Sequence, residues 1–302
     1  LVKHLNFENK YNNYIIIANE LLSEESYLKA YGAFFKAYNY AISDDKKIDA
    51  LFEMADIKLI FEEYIEANEI YEKIIEIDNS RSGAYYGIAL VNDFLGQDVN
   101  KSIKYYKEAI KKDENYDRAY YYLAHSYDKI GNKKLALENL FKCIEVDEMD
   151  FISYNDIGAI YEELGQYNLA KEYFEKSLEI NPRYFRALFN MGVIYKDLGD
   201  LDRALEYYMS AKEYNQNPYI YLNMSAIYIE KKDFNGAINI LNEGIYFNPD
   251  SVNLFYNRAC SKSNLDRDED ALIDLKRAID INKEAYNWAK KDPDLCNIIK
   301  EM

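Results

Sequence analysis

The feature that most constrains this chain is a repeat of 34 residues. Gly96, Gly131, Gly165 and Gly199 are spaced 35, 34 and 34 apart. Ala136, Ala170, Ala204, Ala237 and Ala271 follow at 34, 34, 33 and 34, and Tyr127, Tyr161, Tyr195 and Tyr228 keep the same step. Pro182 and Pro249 differ by 67, two repeats. Small, aromatic and helix-breaking residues do not share one period by chance. A unit this short cannot bury an apolar face alone, so units must stack into a continuous array. The register gives seven units, 48–81, 82–116, 117–150, 151–184, 185–217, 218–251 and 252–285.

The clearest unit runs from Phe151 to Tyr184. Tyr154, Ile157, Gly158 and Tyr161 fall at i, i+3, i+4 and i+7, one face of a helix. Gly165 stops that helix, because glycine tolerates the left-handed cap conformation. Ala170, Phe174, Ser177 and Leu178 form a second stripe, and Asn181–Pro182 ends it, since proline cannot continue a helix. Antiparallel helices approach closely only where one partner is small. Gly158, Ala170 and Ser177 supply those places, and Tyr154, Tyr161 and Phe174 fill the wider gaps.

Large-x-x-large-small-x-x-aromatic, then small-x-x-x-aromatic-x-x-small, then proline, resembles the tetratricopeptide repeat (TPR). The resemblance covers residues 48–285 and implies an all-α solenoid: a right-handed superhelix of antiparallel helix pairs whose first helices line a concave groove. Some units depart from the pattern. The unit from Ser82 carries one extra residue and has Asn92 where an aromatic is usual, and the unit from Phe185 is one residue short. Residues 1–47 hold one degenerate helix pair, in which Phe34, Tyr38, Ala41 and Ile42 resemble a second helix. The tail 286–302 is expected to form a C-terminal capping helix, with Trp288 closing the last core.

Composition narrows the function classes. There are 37 Lys and Arg against 53 Asp and Glu, a net charge of −16, which repels a phosphate backbone and argues against nucleic acid. Hydrophobic residues make up 49%, too many for a disordered acidic chain, and 11 Gly with 4 Pro in 302 residues favour helix over turn-rich β structure. Three cysteines, none in a CxxC pair, give no disulfide framework. The apolar run Ile15–Ala18 is too short for a signal-peptide core, and no window reaches the roughly 18 apolar residues of a membrane span. These features place the protein in the cytoplasm with no membrane partner, and the abundance of Ile, Asn, Lys and Tyr suits an AT-rich bacterial genome.

Catalysis has little to stand on. His4 and His125 are the two histidines, and neither sits beside a nucleophile motif. No GxxxxGK[ST], GxGxxG or HExxH occurs, so neither a cofactor nor a catalytic residue is expected. Cys143 takes a small-residue core position, Cys260 a groove position and Cys296 the tail. Their spacing offers no metal cluster.

The 32 tyrosines are the more informative residues. Tyr71, Tyr106 and Tyr208 on second helices, with Tyr127, Tyr161, Tyr195 and Tyr228 on first helices, account for the core stripe. In the family, the second, fifth, ninth and twelfth positions of a unit face the groove. Phe52, Tyr86, Tyr121, Phe189, Tyr219 and Tyr256 fall there, with His125, and aromatics surplus to the core suit peptide recognition. Asn190, Asn223 and Asn257 recur at the sixth position, preceded by Asp156. An amide offers a donor and an acceptor that match an extended backbone, resembling the asparagine ladder in the TPR region of O-linked N-acetylglucosamine transferases. Arg118, Arg186 and Lys196 are basic groove residues suited to a carboxylate, whereas Arg258 lies one position off the groove face.

The two-carboxylate clamp of TPR co-chaperones needs Lys at the fifth and Asn at the ninth position. The pairs here are Tyr121/His125, Asn155/Ala159, Phe189/Val193, Leu222/Ala226 and Tyr256/Cys260, and none fits. The chain therefore reads as a non-catalytic module that binds a protein or peptide partner. Two alternatives stay open: a bacterial peptide-responsive regulator, and an assembly scaffold or non-catalytic enzyme subunit that self-associates through its repeat ends.

Overall fold

The computed structural model describes the backbone of residues 2–301 and the side chains of residues 6–299. His4 lies outside the described side chains. Every regular element among the described residues is helical. Contacts divide the chain into two compact units, Leu1–Met149 and Asp150–Met302.

The first unit holds α1 (Val2–Ser23), α2 (Tyr27–Tyr40), α3 (Asp44–Ile60), α4 (Tyr64–Ile77), α5 (Ser82–Phe94), α6 (Val99–Lys112), α7 (Asp117–Lys129) and α8 (Lys133–Val146). The helices pair in chain order, and α2 packs on α3, α4 on α5 and α6 on α7, so the pairs form one stack. Ile48, Leu51, Tyr71, Ile74, Ala84 and Ile88 share a core across three of these helices. The N-terminal pair is joined to it by Ala18, Ala30 and Phe34, which pack with Met54 and Ile57. One boundary differs from the repeat register. The helix expected from Ile48 begins at Asp44, because the Ser43 hydroxyl accepts the Lys46 N–H at 3.3 Å and two aspartates occupy the first turn.

The second unit holds α9 (Phe151–Glu163), α10 (Tyr167–Ile180), α11 (Phe185–Asp197), α12 (Leu201–Tyr214), α13 (Pro218–Glu230), α14 (Phe234–Phe247), α15 (Val252–Ser263), α16 (Asp268–Ile281) and α17 (Ala285–Ala289), followed by a 3-10 turn at Ile298–Glu301. Pairing again follows chain order, and successive first helices also touch, α9 on α11 and α13 on α15. Phe174, Met191, Ile194, Tyr208, Ile220, Met224 and Ile227 are buried together between the pairs. Each such side chain is worth about 1.5–3 kcal/mol when removed from water. The small residues let the helices close up. A Cβ on Gly192 would lie 2.6 Å from the Tyr208 ring, and one on Gly158 2.7 Å from Phe174.

The turn inside each helix pair uses one backbone device throughout. Gly96, Gly131, Gly165 and Gly199 have φ of 62, 78, 71 and 79°, and the equivalent turns place Glu25, Glu62, Lys232 and Asp266 at 55, 58, 57 and 56°. The Gly96 N–H reaches the Asp93 carbonyl and the Gln97 N–H the Asn92 carbonyl, closing the end of the first helix.

The tail departs from the single capping helix expected over 286–302. It forms the five-residue α17, then turns, then the 3-10 turn. Pro293 bars a helix from running through, and the Asp292 side chain caps the turn by accepting the Asp294 N–H at 2.9 Å. Trp288 does not close the last core: its ring is 41% exposed. Leu295, Ile298 and Ile299 do so instead, buried against Ala259, Ala271 and Leu275.

Candidate functional site

In the first unit, Arg118, Tyr121 and His125 lie along α7. The Tyr121 and His125 rings meet edge to face with centroids 4.4 Å apart. Beside them stands a tyrosine cluster: the Tyr86 ring is 5.2 Å from Tyr116 and 5.8 Å from Tyr122, and Tyr122 stacks on Tyr106 at 6.0 Å. Burial raises the phenols of Tyr86 and Tyr116, and neighbouring Arg118 pulls both down. Arg118 also acts on the Asp56 carboxyl, which burial raises. This guanidinium thus works within a field of its own unit's acid and phenols. The sixth positions here are Glu53, Gly87 and Tyr122, so the asparagines at that position belong to the second unit.

There the three asparagines occupy three different settings rather than one repeated ladder. Asn190 donates through Nδ2 to Asn155 Oδ1 at 3.0 Å, and Asn155, itself buried, donates to Asp156 Oδ1 at 3.0 Å. Asn223 donates through Nδ2 to the Tyr219 carbonyl at 2.9 Å, and its Oδ1 accepts from Lys196 Nζ at 3.4 Å. Asn257 is partly buried, and its backbone carbonyl takes the Ser261 hydroxyl. The common sequence position does not impose a common geometry, because the partners of Asn190 and Asn223 are supplied by different residues of their own and the preceding repeat.

A hollow of about 390 Å³ opens between α11 and α13. Phe185, Phe189, Tyr219 and Ile220 supply its apolar wall, and Arg186, Asn190 and Asn217 its polar groups. Phe189 is held from behind by the Tyr208 ring at 5.4 Å, whereas Tyr219 is 61% exposed. Arg186 is exposed and lies by the Tyr184 hydroxyl, whose proton affinity is raised by burial and by Asp156 and lowered by the guanidinium. Asn217 caps α13, its Oδ1 accepting the Tyr219 N–H at 2.9 Å. Asn217 is not among the expected site residues, and Asn155 is considered there only as a clamp position. The Asn–Pro dipeptide at a helix start is the signal that could have found the first, and the fifth position in its repeat the signal for the second.

The inner face of α15 is different, and here one expectation is corrected. Tyr256 does not stand open to a guest. Its hydroxyl donates to Asp292 Oδ2 at 2.9 Å, and its ring meets Trp288 edge to face at 5.9 Å. Cys260 donates through Sγ to the same Asp292 oxygen at 3.7 Å, and the Ser263 hydroxyl donates to the Asp294 carbonyl at 2.7 Å. The fifth, ninth and twelfth positions of this repeat are therefore covered by the chain's own residues 288–294. Burial first, and then the Asp292 carboxylate, push the Cys260 thiol and the Tyr256 phenol well above their ordinary values.

Spacing along the sequence gives no sign of the convergence at Cys260. Cys260, Asp292 and Asp294 present donor atoms within 4.8 Å of one another. The protonated thiol and the phenol both donate to Asp292, so hydrogen bonding accounts for the arrangement without an ion. Arg258, off the groove face, is a structural residue. It grips the buried Asp274 through two bonds of 2.8 and 2.6 Å, and Lys262 adds a third at 2.7 Å.

Profiles of the family described as "Tetratricopeptide repeat" match residues 117–148, 150–217 and 196–256. The chain contains multiple tetratricopeptide repeats. Among relatives, Hsp70-Hsp90 organizing protein 3 of Arabidopsis thaliana is 27% identical over 124 residues, 41% of this chain and 21% of that protein. Protein STIP1 homolog of Dictyostelium discoideum is 33% identical over 70 residues, 23% of this chain and 12% of that one. The chain thus spans about a fifth or less of the length of the curated relatives it matches. The solved structure of pilF from Pseudomonas aeruginosa shares the TPR fold, with a TM-score of 0.61, 20% identity, and coverage of 70% of this chain and 96% of that one. The TPR helix pairs give this chain the general character of a protein- or peptide-binding scaffold. Among the described residues no helix is long and apolar enough to cross a membrane.

Proposed function

We propose that the chain binds an extended peptide or partner segment on the face of the first helices, and that the hollow between α11 and α13 is its main contact in the second unit. The observation that carries this reading is the composition of the hollow: an aromatic wall from Phe185, Phe189 and Tyr219 beside the side chains of Arg186, Asn190 and Asn217. Its volume, about 390 Å³, lies within the roughly 300–1,000 Å³ common for ligand sites. Asn190 spends an N–H on Asn155 and retains acceptor capacity toward a peptide N–H. In the first unit, Tyr121 and the tyrosine cluster offer aromatic contact area, and Arg118 a charge already moderated by Asp56.

The Arabidopsis relative's name ties that protein to Hsp70 and Hsp90. The same partners are not proposed here, because no clamp pair occurs at the fifth and ninth positions. Three cysteines with no disulfide among the described residues suit a reducing compartment such as the cytoplasm.

The test places a photoreactive phenylalanine at position 219 and exposes the protein to a random peptide library. Crosslinking at 219, and not at the still more exposed control position Tyr246 on α14, supports the reading. No crosslink at 219 above the control overturns it.

A further inference from the structure

Three facts about the α11–α13 hollow specify the chemistry of its guest. Its charged group is a cation, Arg186, and its other polar side chains are the neutral amides of Asn190 and Asn217; no carboxylate lines it. Among the described residues Arg186 has no carboxylate within ion-pair distance, whereas buried Asp274 claims both Arg258 and Lys262. The α15 face, one repeat from the α13 side of the hollow, shows what this kind of surface takes. The fifth-position ring of Tyr256 there receives an aromatic ring from Trp288 and a carboxylate from Asp292, both supplied by internal residues of the chain. Phe189 is the fifth-position ring of the hollow and lacks a hydroxyl, so the donor to a carboxylate must come from elsewhere. Arg186, three residues earlier on the same helix, supplies it.

We infer that the hollow recognises a peptide carrying an aromatic side chain and, two residues on, an internal acidic side chain, the ring lodging between Phe189 and Tyr219 and the carboxylate reaching Arg186. This deepens the peptide-binding reading and rests on it. The spacing follows from geometry. Residues i and i+3 on a helix hold their Cβ atoms about 5–6 Å apart. In an extended guest, residues i and i+2 project to the same side about 6.6 Å apart, whereas neighbours point to opposite sides. The protein's net charge of −16 opposes an acidic guest at long range. That repulsion is screened beyond about 8 Å at physiological ionic strength, while a guanidinium–carboxylate contact acts at hydrogen-bond distance.

The experiment measures fluorescence anisotropy of defined peptides: Gly-Ser-Phe-Ser-Asp-Ser-Gly, its Asp-to-Asn counterpart and a version with Phe and Asp adjacent, all three with both ends blocked, and a version ending in Phe with a free carboxylate. The first is expected to bind at least tenfold more tightly than its Asn counterpart and than the adjacent version. Arg186→Glu is expected to remove that preference, and Arg186→Lys to retain part of it. Circular dichroism checks that the variants remain folded, and the change from Asp to Asn in the ligand makes no demand on the protein's folding. Equal affinity for the Asp and Asn peptides, indifference to Arg186→Glu, or preference for the free terminal carboxylate overturns the inference. If peptides crosslink at position 219 whatever their charge, the peptide-binding reading stands and the carboxylate assignment falls. If none crosslinks there, both fall.

Discussion

The Tyr256 hydroxyl gives its hydrogen bond to Asp292, a residue 36 positions further along the chain. This contact turns a residue that looked like a guest anchor into part of an internal closure. Cys260 shares the same carboxylate oxygen. Residues 288–294 therefore occupy the inner face of the last full repeat, and the apolar residues that follow seal its core.

The closure has a chemical signature at Cys260. Burial and the Asp292 carboxylate disfavour its thiolate. Iodoacetamide near pH 8 is expected to alkylate Cys296 well before Cys260 or the buried Cys143, and Asp292→Asn is expected to speed the Cys260 reaction severalfold. The readout is peptide mass spectrometry over time. The sign of the linked stability effect follows. In the folded state the thiol and the Tyr256 phenol hold their protons more tightly than in the unfolded chain, so their contribution is present at neutral pH and is lost as pH rises, from about 8.5 for the thiol and from about 10 for the phenol.

Tyrosines that share a repeat position differ in energetics. The Tyr208 hydroxyl is buried without a hydrogen-bond partner among the described residues, whereas the Tyr106 hydroxyl donates to Asp93 at 2.6 Å. Tyr208→Phe is expected to be neutral or to stabilise by about 1 kcal/mol, and Tyr106→Phe to cost about 1–2 kcal/mol. Paired urea denaturation curves check this, and a loss of stability in Tyr208→Phe would contradict the assignment.

Asp274 is buried with two cations on it. Asp274→Ala strands both, and the expected loss is about 3–5 kcal/mol. Arg258→Met together with Asp274→Leu should recover much of it, leaving Lys262 to reach solvent. Thermal unfolding of the single and double variants measures the difference.

Lys232 and Asp266 hold left-handed backbone where other repeats place glycine. Lys232→Gly removes a steric cost of about 1–2 kcal/mol, offset in part by the entropy of a freer unfolded chain. A net rise in stability of about 0.5–1 kcal/mol is expected. Gly131→Ala should lower it, since at φ of 78° a Cβ is strained whatever space surrounds it.

The repeat, the helix pairs and the core were legible in the sequence because each is dictated locally. A 3.6-residue stripe places Ala170, Phe174 and Ser177 on one face, Pro182 prevents continuation, and Gly165 accepts a backbone that other residues resist. Stacking then follows, as no single pair can cover its own apolar face. The use made of exposed positions was not legible. Asn190, Asn223 and Asn257 are equivalent in the repeat, yet one bonds to a neighbouring repeat, one to its own helix and one lies partly buried. Tyr256 and Phe189 share the fifth position, yet the first is covered by Asp292 and Trp288 and the second lines a hollow. Periodicity determines which way a side chain points. Its partner is decided by residues distant in sequence, which only the folded chain brings within hydrogen-bond reach.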